Sequence, residues 1–394
     1  MTSTLRSKGY PFFVFYLIYW LAYASLFPYL GVYYESIGLV GTQIGFLGSI
    51  TAFVEILSSI LISIIADIIK KPKLILIVLL LGLIFAAFLL KATTVFSIIV
   101  ISVIILGFCT SPINTLVDKM LLDTLESKES YGLYRLGGSI GYGLGIYLIG
   151  YSILNYGLNI IFPKFIIIIL INIIVFLALS QSIKNENFVE DSKTINYKDI
   201  KDNIKNKNLV VIYGTLLLWG ITESSFGQFL SLHLLSNGFS SISIGFIIAA
   251  ALLGEIFCFM LTPYLLNKIK LKKIILLSFL LQFVRAFTLS RVPPFKLLIV
   301  GQFIGGGSFP LIWASTTQLI DNYFIEDIGN TMQGLKNVMN NGIGRIIGYA
   351  LSGFLYQEYN SSAIFKLMAA ISLAFLFVNL FINFIDRRYS SDAV

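Results

Sequence analysis

The chain predicts an all-α polytopic membrane protein of about twelve spans, set out as two pseudo-symmetric halves of six helices each. Three observations predict this. Hydrophobic residues fill 57% of the 394 positions and charged residues only 12%, where a soluble domain carries about 25% charged residues; there is too little polar surface to coat a water-soluble globule. Apolar stretches of roughly 20 residues, long enough to cross a bilayer, follow one another almost to the end. One stretch also recurs. Residues 42–56 read TQIGFLGSITAFVEI and residues 242–256 read ISIGFIIAAALLGEI, so that Ile44-Gly45-Phe46 returns as Ile244-Gly245-Phe246 and Glu55 as Glu255. Repeated membrane layout with a carboxylate at hydrocarbon depth in each copy points to transport around a central site.

The helices are expected near 11–34, 43–67, 73–91, 95–124, 131–157, 163–181, 208–236, 242–266, 272–290, 295–323, 331–357 and 363–385. Arg6 and Lys8 ahead of an apolar run resemble a signal peptide. The run continues to Tyr34, well past a signal core of roughly 7–15 residues, so it reads as the first span without cleavage. The hydrophilic stretch 182–207 mixes lysines with acids and reads as a solvated cytoplasmic linker between an N-terminal bundle, 1–181, and a C-terminal bundle, 208–394. Pro28, Pro112 and Pro310 are placed to break helices one, four and ten. Helix five sets Gly137, Gly141 and Gly145 on one face, and helix eleven repeats the theme with Gly344 and Gly348. Such faces admit close helix contact, either static or between halves that rock. Trp20 and Trp219 occupy similar places in helices one and seven, where a role as interfacial anchor competes with a role in a site.

The basic residues orient the chain. With both termini inside, Arg6, Lys8, Lys70, Lys71, Lys73, Lys128, six linker lysines, Lys268, Lys270, Lys272, Lys273, Arg387 and Arg388 face the cytoplasm. Only Lys91, Lys164, Arg291, Lys296 and Lys366 face outward. This bias places both termini in the cytoplasm. It also makes the +8 net charge topological, which argues against nucleic acid as a partner. Cys109 and Cys258 sit in apolar segments with no framework or metal spacing. His233, the single histidine, reads as a surface or packing residue. No metal and no cofactor are expected, and a metal-dependent membrane hydrolase has little to work with.

Ten ionisable residues fall inside the expected spans: Glu55, Asp118, Glu223, Glu255 and Asp321 against Lys119, Arg135, Arg285, Lys336 and Arg345. Equal numbers of each sign suggest pairing, because an isolated charge in hydrocarbon is expensive. Residues equidistant from a tight hairpin turn lie at equal depth. Glu255 and Arg285 are centred on Lys270, which puts both about 20 Å along their helices, near mid-bilayer. Asp118 and Arg135 are matched at shallower depth, as are Asp321 and Lys336, and Glu223 on helix seven is matched with Arg345 on helix eleven. Glu55 has no such counterpart and is either a proton site or a neutral hydrogen-bonding group. Tyr142 follows Arg135 by seven residues, about two turns, so both can face one cavity; an aromatic beside a guanidinium suits a ring-bearing or carboxylate solute.

These residues resemble a known family. The turn Ala66-Asp67-Ile68-Ile69-Lys70-Lys71-Pro72-Lys73 is similar to the acidic-then-basic loop of the major facilitator superfamily. SPINTLVDKMLL and SYGLYRLGGSIGYGLG, with FPYLGVYYESIGL in helix one and LLGEIFCF in helix eight, resemble the phenylpropionate and lactose permease branch. The resemblance implies a proton-coupled uptake symporter. It implies that Asp118, Arg135 and Tyr142 shape the solute site, that Glu255 and Arg285 belong to the coupling network, and that Glu223 and Arg345 echo an acid and base of that branch. It further implies that Asp67, Lys71 and Lys73 form the conformational loop. Helix ten departs, with Gln302, Ser308 and Trp313 where the family's histidine would stand.

The reading is therefore a secondary transporter, acting as a monomer in the cell membrane, that moves a small organic solute (aromatic acid, sugar or nucleoside) with protons by alternating access. Asp118, Arg135, Tyr142, Trp20 and Arg345 are expected to bind solute, and Glu255, Arg285, Glu55 and Glu223 to handle protons. An exporter or uncoupled facilitator of the same fold is the alternative. A membrane receptor or enzyme is a third reading that no nucleotide-binding loop or catalytic spacing supports.

Overall fold

The computed structural model describes residues 2–125, 127, 130–179, 207–323 and 326–391. The expected linker 182–207 lies outside the described residues but for its last position, as does Lys128, and the side chains of Arg6, Lys8, Arg387 and Arg388 lie outside them too. The described residues are helical throughout their long elements. The chain divides into two compact units, Met1–Ser192 with Gly227–Gly245, and Lys193–Phe226 with Phe246–Val394.

In the first unit, helix one runs Thr2–Leu26, tightens to a 3-10 turn at Phe27–Tyr29 and resumes at Leu30–Ser36. Pro28, without an N–H to give, is the cause of that change. Helices two to six follow at Gly41–Ile69, Pro72–Ala92, Phe96–Thr124, Tyr131–Tyr156 and Ile161–Leu179. Pro112 lies inside the unbroken Phe96–Thr124, so the expected break in helix four does not occur. Helix one packs along the glycine face of helix five. A Cβ at Gly141 would fall inside the van der Waals radius of the Leu17 carbonyl oxygen, which only glycine avoids. The contact is thus packing within one unit. Gln228–Ser236, the second segment of helix seven, belongs to this unit; Tyr29 donates to the Ser241 carbonyl at 3.0 Å, and Ser241 to that of Gly150 at 2.7 Å.

In the second unit, helix seven begins at Lys207–Ser224, helix eight, Ser241–Lys268, belongs to it from Phe246 onward, and helix nine runs Leu271–Arg291. Helix ten is split into Phe295–Gly306 and Ser308–Tyr323, as its Pro310 suggested, although the joint itself is Gly307. Helix eleven holds a surprise: Glu326–Asn337 passes into a π-helix at Val338–Gly344 and then into Arg345–Glu358. Helix twelve is Ser361–Ser391. Helix eleven packs on helix seven much as five packs on one, and the Asn340 carbonyl occupies the space a Cβ at Gly220 would need. Trp219, weighed as an interfacial anchor, is fully buried beside Phe279.

The duplication shows in the turns as well. Gly38 and Gly238 close helices one and seven at φ 88° and 83°. Leu39 donates to Tyr34 and Phe239 to Leu234, at 3.0 and 3.1 Å, the six-to-one bond of the same C-terminal motif. Ten helices among the described residues are long and apolar enough to cross a membrane. Helices five and eleven fall outside that set because glycines, tyrosines and polar side chains dilute them.

Candidate functional site

Each unit carries an arginine laid over aromatic rings beside a carboxylate. In the first, helix one presents Tyr16, Trp20, Tyr23 and Phe27 at helical spacing, so they share a face. The Arg135 guanidinium of helix five lies 4.9 Å from the Tyr16 ring centroid and 5.1 Å from that of Trp20. Arg135 Nε is 3.9 Å from Asp118 Oδ1 of helix four, and Tyr16 donates its hydroxyl to the same oxygen in a short hydrogen bond. Tyr131 is within hydrogen-bonding reach of both Asp118 and Arg135, and the five-donor guanidinium keeps further N–H groups that can turn to a solute. Tyr142 closes the group, 6.2 Å from Trp20 and 6.4 Å from Tyr23, while Tyr23 stacks on Phe27 at 4.0 Å. Trp20, Asp118, Arg135 and Tyr142 are thus together, as expected. Tyr16, Tyr23 and Phe27 were missed, although their four-, three- and four-residue steps from Tyr16 to Phe27 were a readable signal.

In the second unit, the Arg285 guanidinium lies 3.9 Å over the Phe226 ring. Its ion pair is with Glu223, Nη1 to Oε1 at 3.5 Å, and its Nε donates to Gln302 Oε1 at 3.0 Å. Gln282 Nε2 donates to the other Glu223 oxygen at 3.0 Å, and Gln282 Oε1 accepts from the Ser308 hydroxyl at 3.2 Å. The expected pairs Glu255–Arg285 and Glu223–Arg345 are therefore replaced by Glu223–Arg285. Matching depth was sound, but a hairpin sets depth and not the rotation of each helix about its axis. Glu255 and Arg345 are nonetheless present. With Glu223, Arg285, Phe309, Asn340 and Asn341 they line a cavity of about 220 Å³.

Other expectations change. Lys336 is buried against the Trp313 ring at 3.6 Å and makes a short hydrogen bond to the Thr317 hydroxyl. Asp321 instead accepts from Gln333 Nε2 at 2.8 Å, so the Asp321–Lys336 pair is replaced by separate contacts. Lys119, counted as an intramembrane base, pairs at 2.8 Å with Asp67 of the helix-two loop, and both are well exposed. Asp67, near the end of helix two, thus ties that helix to helix four. Lys70, in that loop, adopts a left-handed φ of 53°, the role glycine usually fills. Glu55 is half-buried and interacts with a neighbour, which is compatible with the hydrogen-bonding alternative. His233 is fully buried and bonded to Asn237, a packing role.

Comparison with known proteins adds the family. The model of the MFS_1 like family matches residues 12–367. A maltose permease of Geobacillus stearothermophilus is 23% identical over 371 residues, covering 92% of this chain and 91% of the permease. The crystal structure of the nucleoside transporter NupG superposes with a TM-score of 0.81 at 17% identity, over 94% of this chain and 98% of that one. A bacterial homologue of the human lysosomal transporter Spinster gives 0.69 at 12%, over 96% of each chain. The match across nearly the whole length, on a helical fold of repeated layout, makes this chain a member of the MFS_1 like family and a multi-pass membrane transporter of the major facilitator superfamily.

Proposed function

We propose that the protein is a proton-coupled symporter of a small, neutral, ring-bearing solute, a sugar or a nucleoside, working in the cell membrane as a monomer with both termini in the cytoplasm. The observation that carries this reading is the cavity of the second unit, where Glu223, Glu255, Arg285 and Arg345 meet. Two carboxylates against two arginines leave no surplus positive charge to hold an acidic solute. Asp118 likewise balances Arg135 in the first unit. The rings of Trp20, Tyr23 and Tyr142 suit the apolar face of a sugar or a base. The named activities of a maltose permease and a nucleoside transporter, each similar over nearly its whole length, are in keeping with this class.

Coupling is assigned to Glu255, with Glu223 and Arg285 as its electrostatic surroundings. Adding a proton to Glu255 removes one charge from a balanced set of four and changes the attraction that holds their helices. The test is uptake of labelled maltose and uridine into proteoliposomes under an inward proton gradient. Accumulation above the external concentration is expected for one of them, with loss of accumulation but retained counterflow in Glu255→Gln. Uptake of an aromatic acid in preference to both would overturn the neutral-solute reading. Facilitated diffusion is the second reading, favoured by Gln302, a non-titrating amide on Arg285; it requires counterflow in the wild type that no gradient can drive uphill.

A further inference from the structure

We propose that the π-helical segment of helix eleven is a solute-recognition element, in which Asn340 and Asn341 hydrogen-bond the hydroxyl or N–H edge of the neutral solute. The proposal rests on the reading of the second unit's cavity as a solute site and names residues that reading leaves unassigned. Val338–Gly344 widens from the α to the π form in mid-helix, a local strain that proteins retain chiefly where it re-aims side chains at a site. Both consecutive asparagines line the cavity, although neighbours on an ordinary helix point about 100° apart. The segment is held from behind: the Asn340 carbonyl lies against Gly220, where no Cβ fits.

The hydrogen bonding of the Asn340 amide is incomplete, while Asn341 donates its Nδ2 to Asn337 Oδ1 at 3.4 Å. Asn340 is 3% exposed, and its Nδ2 donates to Asn341 Oδ1 at 3.3 Å. Its Oδ1 makes no hydrogen bond to any protein group. Turning the amide round would leave the nitrogen over instead. A buried amide oxygen without a donor is unfavourable, and a hydroxyl or ring N–H entering the cavity supplies one. The nearby carboxylate of Glu223 is already held by Gln282 and Arg285, so these amides are the uncharged groups left to read a neutral solute. An amide offers both donor and acceptor, which matches adjacent sugar hydroxyls or the edge of a base and gains nothing from a carboxylate.

The test measures binding to the full-length protein in lipid nanodiscs, using uridine, maltose and the monodeoxy analogues of each. The wild type should bind one parent and lose affinity for the analogue missing the hydroxyl that Asn340 reads. In Asn340→Leu the parent should bind roughly tenfold more weakly, while that one analogue is unchanged. A residue with a merely structural role would weaken every ligand alike. Should Asn340→Leu fail to fold, Asn340→Ala, which removes the acceptor without adding bulk, must alter the ranking of analogues. Unchanged ranking in Asn340→Ala and in Asn341→Leu overturns the proposal. Binding of aromatic acids alone by the wild type overturns it too, and that result places the failure in the neutral-solute reading rather than in the asparagines.

Discussion

An arginine lying over aromatic rings is a directed donor, because cation–π contact fixes the plane of its fork. Arg135 over Tyr16 and Trp20 and Arg285 over Phe226 are both held this way. Arg135→Lys keeps the charge and removes the planar fork, so solute affinity should fall about tenfold or more while expression and thermal stability stay near wild type; a binding isotherm checks this. Tyr16→Phe removes the hydroxyl donated to Asp118 and should weaken binding by less, about 1 kcal/mol, with the aromatic face intact. Much at this scale was legible. Asp118, Arg135, Trp20 and Tyr142 were identified from span position, sign and resemblance, and they converge. The partner of Arg285 was not, because spacing along a hairpin gives depth alone, and Glu223 comes from a helix distant in sequence. The helix-one aromatics carried a readable helical spacing, but in a chain with 33 Phe and 21 Tyr spacing alone does not separate a site-facing stripe from core.

At the scale of the element, the glycine faces decide how closely helices approach. Gly141 sits on the backbone of helix one, whereas Gly132, on the same helix, has nothing within 4 Å of a Cβ. Gly141→Val should lower the melting temperature by forcing the pair apart, at a cost of about 1–3 kcal/mol. Gly132→Ala should be neutral or stabilise by up to about 1 kcal/mol through helix propensity. Equal effects of the two substitutions in a thermal-unfolding series would contradict the close-packed seam. The order of helices was legible from hydropathy, but helix one begins at Thr2 rather than near 11 and helix twelve ends at Ser391 rather than near 385. The internal breaks of the helices were not legible. Pro28 does interrupt helix one, yet Pro112 is absorbed without a break, since a long helix packed on its neighbours can tolerate one missing hydrogen bond. The π-helix Val338–Gly344 carries no proline, and the contact of its Asn340 carbonyl with Gly220 joins residues too far apart for a linear pattern to show.

Across the whole molecule, duplication is written at three levels: in Ile44-Gly45-Phe46 and Ile244-Gly245-Phe246, in the paired turns at Gly38 and Gly238, and in the arginine-on-ring arrangement of each unit. The first was readable directly, the second and third only from the fold. The topology implied by the lysines predicts that a fluorescent protein fused after Val394 emits in cells and that alkaline phosphatase fused there is inactive; the reverse pattern would invert the orientation. The central claim is that half-buried carboxylates within the spans join solute movement to proton movement. The most direct measurement is the pH of a lightly buffered suspension of cells overproducing the protein as maltose or uridine is added. The account predicts transient alkalinisation of the medium as protons enter with the solute, absent in Glu255→Gln. Solute entry at full rate with no change in external pH would contradict it.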